Sequence, residues 1–276
     1  DVYKLATVCP VHKSGDKSEA SNYRPVSLLP IVSKILEKVV HRQMIRFLQD
    51  HAELRILPDE QFAYRRGHSC EDALTLAVNR WMMSVDKGEY CGVVLVDMSK
   101  AFDRVRHELL LNELQAIGIS GVALQWFSSY LQGRRQQVKI GNNRGDETHC
   151  TRGVPQGSVL GPLLFSLYVR HVPGVLRHAE SQQYADDIAF YIHCQSTGEL
   201  QHKLTSELNR LNTYLGSIGL ILNAQKTKFM VLRKKALPLP PDLTIACGGV
   251  DIRPSATARY LGLIIDQHLT FEDQVN

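Results

Sequence analysis

The short stretch around Asp186-Asp187 constrains this chain more than any other. Two runs, Gln182–Ala185 and Ile188–His193, are pinched together at two acidic residues, which reads as a tight hairpin with buried strands and a wet turn. A second acidic strand end lies upstream. Gly92-Val-Val-Leu-Val-Asp97 is a continuous apolar run of β-branched type, the pattern of a strand covered on both faces, and it also ends in a carboxylate. Between them the spacing predicts helices over His107–Ile117 and Val122–Leu131. A hairpin of Gln136–Ile140 with Glu147–Arg152 around Gly141-Asn142-Asn143 follows, and a Gly153–Gly157 turn opens a helix over Ser158–Arg170. After the acidic hairpin, Leu200, Leu204, Leu208, Leu211 and Leu215 recur at helical spacing within Ser196–Ile218. Gly219 stops that helix, and Lys228–Leu232 is the next strand.

From Gly92 this order is that of a ferredoxin-like split βαβ unit with an insertion in its first crossover, an α+β arrangement with an antiparallel sheet and helices on one face. A right-handed crossover makes the first two strands parallel, with the third between them, so Asp97 and the Asp186-Asp187 turn share one sheet edge. Three carboxylates gathered there repel one another unless protonated or neutralised by cations. Oxygen-only ligands suit Mg²⁺ or Mn²⁺, and two such ions about 3.5–4 Å apart hold the attacking and leaving oxygens of a phosphoryl transfer. Taken singly, each motif has an equal structural reading: Asp97 as a helix cap, Asp186-Asp187 as solvated turn formers.

Residues 1–90 combine an extended start (Tyr3–Val11), a polar loop (Lys13–Asn22) and helices over Pro30–Asp50 and Ser69–Lys87. This suggests a mostly helical lobe with an extended, basic edge. A length of 276 residues exceeds the roughly 100–200 of a typical domain, so one large domain or two lobes is expected. The net charge of +4 permits a nucleic-acid partner without requiring one. Arg65-Arg66, Arg134-Arg135 and Arg233-Lys234-Lys235 are either phosphate contacts or solvated charge. The six cysteines are scattered without a C-x-x-C pair, as in a reduced intracellular protein. The longest apolar stretch, Val159–Val169, is broken by Gly161 and Pro162 and falls short of the ~18 residues of a membrane span, and no signal peptide is visible. Leu237–Pro241 reads as a linker or turn. The chain starts at Asp1 within a patterned region and stops at Asn276 soon after a strand-like run, so it reads as a fragment.

Seven blocks occur in one order: Lys13-Ser-Gly-Asp16, Asn22-Tyr-Arg-Pro-Val-Ser-Leu28, Gln61-Phe62 through Arg66-Gly-His-Ser69, Val96–Asp103, Arg152–Pro162, Tyr184-Ala-Asp-Asp187 and Tyr260-Leu-Gly262. With them the chain resembles, over nearly its whole length, the reverse-transcriptase domain of non-LTR, LINE-type retrotransposons. The resemblance implies right-hand polymerase fingers (1–90, with a returning segment near 118–152) and a palm (91–235). It further implies a closing segment (236–276) that holds the end of the palm, a primer-grip hairpin and the start of a largely missing thumb. It implies an RNA-directed DNA polymerase using RNA template, DNA primer and dNTP, with two Mg²⁺ or Mn²⁺ ions, working in the nucleus as part of a longer polyprotein that carries endonuclease and thumb regions.

By the same resemblance, Asp97 and Asp186 bridge the metals, the Met98 carbonyl completes one shell and Asp187 supports the cluster. Phe102 is the aromatic that excludes a ribose 2′-hydroxyl. Lys13 and Arg24 grip the triphosphate, Gln156 contacts the sugar or base with Gly157 allowing close approach, and Lys226 protonates pyrophosphate. Leu261 and Gly262 support the primer end. Phe102 also reads as a core aromatic, Lys13 and Arg24 as surface charge, and Gln156-Gly157 as a turn before a helix capped by Ser158. Ala63 and Cys70 depart from the glycine and hydroxyl residue expected in their block. The alternative function is a decayed or domesticated copy that binds RNA without catalysis. A viral RNA-dependent RNA polymerase is disfavoured by Tyr184-Ala185 and Phe102.

Overall fold

The computed structural model describes residues 2–13, 15–65 and 67–275, so Ser14 of the first block and Arg66 of a basic pair lie outside the described residues. The chain opens with strands β1 (Leu5–His12) and β2 (Tyr23–Leu28), helices α1 (Ile31–Asp50) and α2 (Cys70–Asp86), and strand β3 (Tyr90–Val96). Helices α3 (Ala101–Arg104), α4 (His107–Ala116) and α5 (Gly121–Leu131) lead to β4 (Arg134–Ile140) and β5 (Asn143–Cys150). Helices α6 (Gly161–Tyr168) and α7 (Val172–Val175) precede β6 (Glu180–Tyr184), β7 (Asp187–Cys194), α8 (Thr197–Ser217) and β8 (Lys228–Leu232). Two small ribbons end the described chain, β9 (Ile245–Cys247) with β10 (Val250–Ile252) and β11 (Thr257–Tyr260) with β12 (Leu263–Asp266), before the single turn α9 (Glu272–Val275). These elements fall into two compact units, Asp1–Ile56 with Phe102–Tyr168 and Leu57–Ala101 with Val169–Asn276.

The first unit is less helical than its sequence suggests. It contains a four-stranded sheet in the order β2-β1-β4-β5, with β1 antiparallel to β2 and parallel to β4. Strand β2 contains Pro25 and β5 is exposed along nearly all its length, so neither has the alternation that marks a half-buried strand. The β4–β5 turn is tighter than expected: Ile140 pairs with Asn143, leaving only Gly141 and Asn142 in the loop, and Gly141 takes φ +59°. The core of this unit comes from fully buried Leu110, Leu114, Leu131, Leu163, Leu164 and Phe165 on α4, α5 and α6. Helix α6 begins at Gly161, not at Ser158. Ser158 sits in a turn, donating its N–H to the Pro155 carbonyl, and its Oγ accepts from the Gly161 N–H.

The second unit is built on a sheet of order β6-β7-β3-β8 in which every neighbouring pair is antiparallel. Strands β3 and β6 therefore run in the same direction with β7 between them, as the crossover argument requires. Both faces are covered, which corrects the expectation of helices on one face. On one side Leu200 and Leu204 of α8 press so closely on Gly92 that an added Cβ would lie 2.5 Å from Leu204 Cδ1. On the other side Ala77 and Trp81 of α2, with Ala258, Tyr260 and Ile265 of the β11–β12 ribbon, join Cys91, Val93, Ala189, Tyr191, Met230 and Leu232 in one buried cluster. Helix α2 thus belongs with residues after 91, because its large apolar side chain, Trp81, has its partners on this sheet. Burial of each α8 leucine contributes about 1.5–3 kcal/mol, which fixes the helix over β3 and β7. All six cysteines are free, and among the described residues no helix is long and apolar enough to cross a membrane.

Candidate active site

Strand register brings the acidic residues of the second unit to one edge. Val96 pairs with Ile188 as the last pair of the ladder, so Asp97 and Asp187, the next residue beyond that pair on each side, lie at the same end of the two strands. Tyr184 pairs with Asp187 across a two-residue loop, Ala185-Asp186, in which Ala185 takes φ +58°. A positive φ at the first loop residue alone is the sign pattern of a type II′ turn, and it matches the right-handed twist of the flanking strands. Asp186 and Asp187 are exposed, Asp97 is half-buried, and their neighbours Ala185 and Ile188 are buried. The apolar strands thus hold the turn while only its acids meet water.

The backbone beyond Asp97 is also fixed. The Asn223 N–H donates to the Asp97 carbonyl at 2.8 Å, Asp97 donates its own N–H to Thr227 Oγ1, and Ser99 donates to the Ile221 carbonyl. Met98 and Leu222 face each other across this bridge without exchanging hydrogen bonds. Because consecutive peptide groups in extended chain point to opposite sides, the Met98 carbonyl is directed away from residues 221–223, toward the β7 side. Exposed Lys226 lies on the turn that these bonds stitch to Asp97, its N–H donating to the Asn223 carbonyl at 3.1 Å.

Residues outside the expected set surround the acids. Burial pushes the Tyr64 phenol above its ordinary range, with the Asp186 carboxylate and then Tyr184 adding to it. Burial likewise raises the Cys70 thiol, helped by Glu71 and Asp187, and its Sγ–H donates to the Leu261 carbonyl at 3.6 Å. Leu261 and Gly262 form the loop of the β11–β12 hairpin with φ +48° and +93°, so the hairpin that sequence reasoning expected there is present. Tyr64 and Cys70 carried no sequence signal for this placement. Their relation to the acids depends on a long-range parallel pairing of Gln61 with Gln183 of β6.

The other expected residues lie in the first unit. Lys13 continues β1, donating its N–H to the Asn22 carbonyl, and Arg24 pairs with Val11, so the two exposed cations share a face of that sheet. The Gln156 carbonyl accepts from the Ser27 N–H at 2.8 Å, joining the Gln156-Gly157 turn to the strand that carries Arg24. Gly157 takes φ +104°, and an added Cβ would lie 2.7 Å from the Ser27 carbonyl oxygen, so glycine is required there. Phe102, half-buried, stacks on fully buried Phe165 at 4.6 Å between centroids. Sequence reasoning missed Glu37. This buried residue of α1 accepts the N–H groups of Val159 and Leu160 at 2.7 and 3.2 Å, just before α6.

Among the described residues, no three His, Cys, Asp or Glu side chains already form a cluster able to hold a metal ion. The set that fits a hard cation in kind is smaller: the carboxylates of Asp97 and Asp186 and the Met98 carbonyl. Mg²⁺ is ordinarily held by one or two carboxylates, with water and substrate phosphates completing its octahedron, so this donor set matches it in kind.

A mixed α/β polymerase fold with acids at a sheet edge defines the class. The chain belongs to the reverse transcriptase (RNA-dependent DNA polymerase) family, whose pattern matches residues 11–265, and within it to the non-LTR, LINE type. It is 34% identical over 98% of its length to the probable RNA-directed DNA polymerase from transposon BS of Drosophila melanogaster. It is 31% identical over 98% of its length to the RNA-directed DNA polymerase from mobile element jockey of Drosophila funebris. It spans about 30% of the length of each relative. Among solved structures, apo telomerase from Candida tropicalis, truncated from its C-terminal domain, shares the fold with a TM-score of 0.63 at 13% identity. That likeness covers 98% of this chain and 55% of the telomerase chain.

Proposed function

We propose that this chain copies RNA into DNA by nucleotidyl transfer, the first unit acting as fingers and the second as palm. The observation that supports it most is the β3–β7 register, which ends at Val96 and Ile188 and so brings Asp97 and Asp187 to the same sheet edge, next to the turn that carries Asp186. Asp97, Asp186 and the Met98 carbonyl would hold two Mg²⁺ or Mn²⁺ ions, with Asp187 supporting them. Bound there, the ions supply Lewis-acid charge that eases loss of the primer 3′-hydroxyl proton and neutralises the leaving pyrophosphate.

The chain's own groups do the rest. Arg24 binds the triphosphate as a planar fork and Lys13 as a point charge. The Phe102 ring excludes a ribose 2′-hydroxyl, and Gln156 orients the sugar or base with Gly157 giving it room. The 3′-oxygen forms its bond to the α-phosphorus as the bond to the β-phosphate oxygen breaks. Lys226 gives a proton to the pyrophosphate leaving from that bond. The Leu261-Gly262 loop supports the primer end.

The test is primer extension on an RNA template with Mg²⁺ or Mn²⁺, beside an Asp186→Ala/Asp187→Ala double variant. Deoxynucleotide incorporation by the wild type and none by the variant is expected. A folded wild-type chain that binds RNA and incorporates nothing would overturn the proposal and favour a non-catalytic RNA-binding copy.

A further inference from the structure

Gln61 is completely buried, although nothing in its sequence context marks it as a core residue. Its segment adds to the sheet beside β6: Gln183 donates its N–H to the Glu60 carbonyl at 2.8 Å, and Phe62 donates to the Gln183 carbonyl at 2.9 Å. The side chain then reaches past this pairing. Gln61 Oε1 accepts the N–H of Ala63 and the N–H of Ala185, each at 3.1 Å. Two N–H donors meet only at an oxygen, so they fix the orientation of the amide. Its Nε2 donates to Gln183 Oε1 at 3.4 Å.

The partner matters because of where Ala185 sits. It immediately precedes Asp186, is 6% exposed, and holds φ +58°, a conformation that costs an alanine free energy. Without an acceptor its N–H would be a buried donor with no partner, and the loop would gain by turning that N–H toward water. Such a rotation about Ala185 carries the Asp186 carboxylate with it. Tyr64, beside Asp186 and itself at φ +60°, lies one residue beyond Ala63, the other N–H held by Gln61. One amide oxygen therefore pins both the acidic turn and the segment packed next to it.

We propose that Gln61 is a positioning residue for the acidic turn, fixing the Asp186 carboxylate through the backbone of Ala185. This rests on the polymerase reading above. The test compares wild type with Gln61→Met, which keeps length and loses the acceptor, and Gln61→Glu, which keeps an oxygen at that point. Among the described residues Gln183 Nε2 has no hydrogen-bond partner, so a flip of its amide gives the introduced carboxylate a donor.

The first readout is amide hydrogen exchange. Gln61→Met is expected to speed exchange at Ala185 and Ala63 at least tenfold while β3 and β7 keep their protection. The second is steady-state primer extension on an RNA template. For Gln61→Met, kcat is expected to fall 10- to 100-fold with the dNTP KM and RNA Kd within twofold, and Gln61→Glu is expected to recover most of the loss. Unchanged exchange at Ala185 would overturn the proposed tether. Faster exchange with unchanged kcat would overturn its role in positioning. If Gln61→Met does not fold, a folded Gln61→Glu protein with wild-type protection at Ala185 and wild-type kcat supports the proposal, and the loss of either opposes it. Wild-type protein that extends no primer refutes the polymerase reading alone, since the exchange arm still decides the tether.

Discussion

At the scale of single residues, Phe102 combines an observed structural contact with the selective role proposed for it. Its ring stacks on Phe165, which is fully buried, so one ring face is committed to the core while the residue stays half-buried. A ring held this way has little rotational freedom, and a rigid wall discriminates by sterics better than a mobile one. Phe102→Val is expected to raise ribonucleotide incorporation relative to deoxyribonucleotide by about 10- to 200-fold, the range a pocket gains or loses with a few carbon atoms. Single-nucleotide incorporation kinetics with dNTP and rNTP pairs measure it. An unchanged ratio would leave Phe102 as a core aromatic only. Gly157 shows the complementary case, where close backbone approach and positive φ together admit only glycine.

At the scale of elements, α6 depends on a residue more than a hundred positions earlier. Its start would leave N–H groups unpaired, and Glu37 on α1 takes those of Val159 and Leu160 while Ser33 Oγ donates to Glu37 Oε1 at 3.3 Å. Removing that carboxylate strands two donors beside the Gln156-Gly157 turn. Glu37→Ala is expected to lower stability by about 3 kcal/mol, and Glu37→Gln, which keeps one acceptor oxygen, by about 1 kcal/mol. Denaturant titration measures both, and equal losses would show that packing, not capping, is what Glu37 supplies. Glu37 and Gln61 also mark the limit of reading the sequence alone. The hairpin acids were legible because they interrupt apolar strands, and α8 and β8 were legible to within a residue because periodicity and Gly219 define them. Buried polar residues carry no such pattern, since a glutamate in an amphipathic helix reads as solvated until its partners are known. Strands β2 and β5 were obscure for a related reason: their pairing is long-range and their side chains are largely exposed.

For the molecule as a whole, electrostatics separates the proposed RNA binding from the proposed catalysis. Thirty-two Lys and Arg against 28 Asp and Glu leave a net charge of only +4, so the proposed RNA binding would draw on local basic residues displacing counterions, not on a large overall field. If about four phosphates of single-stranded template are neutralised, log K should fall with log salt at a slope of about −3. None of those contacts requires a divalent ion, whereas the proposed use of Asp97 and Asp186 does. Chelation by EDTA is therefore expected to abolish primer extension while RNA affinity at fixed ionic strength stays within about threefold, because a change of that size is under 1 kcal/mol. Asp97→Asn should behave like chelation: extension lost, RNA binding and its salt slope retained. Filter binding across a salt series, run beside the extension assay, measures both. If EDTA instead collapses RNA affinity while Asp97→Asn leaves it intact, a divalent ion is organising the RNA-binding surface away from the acidic turn. The assignment of metal dependence to Asp97 and Asp186 would then be wrong.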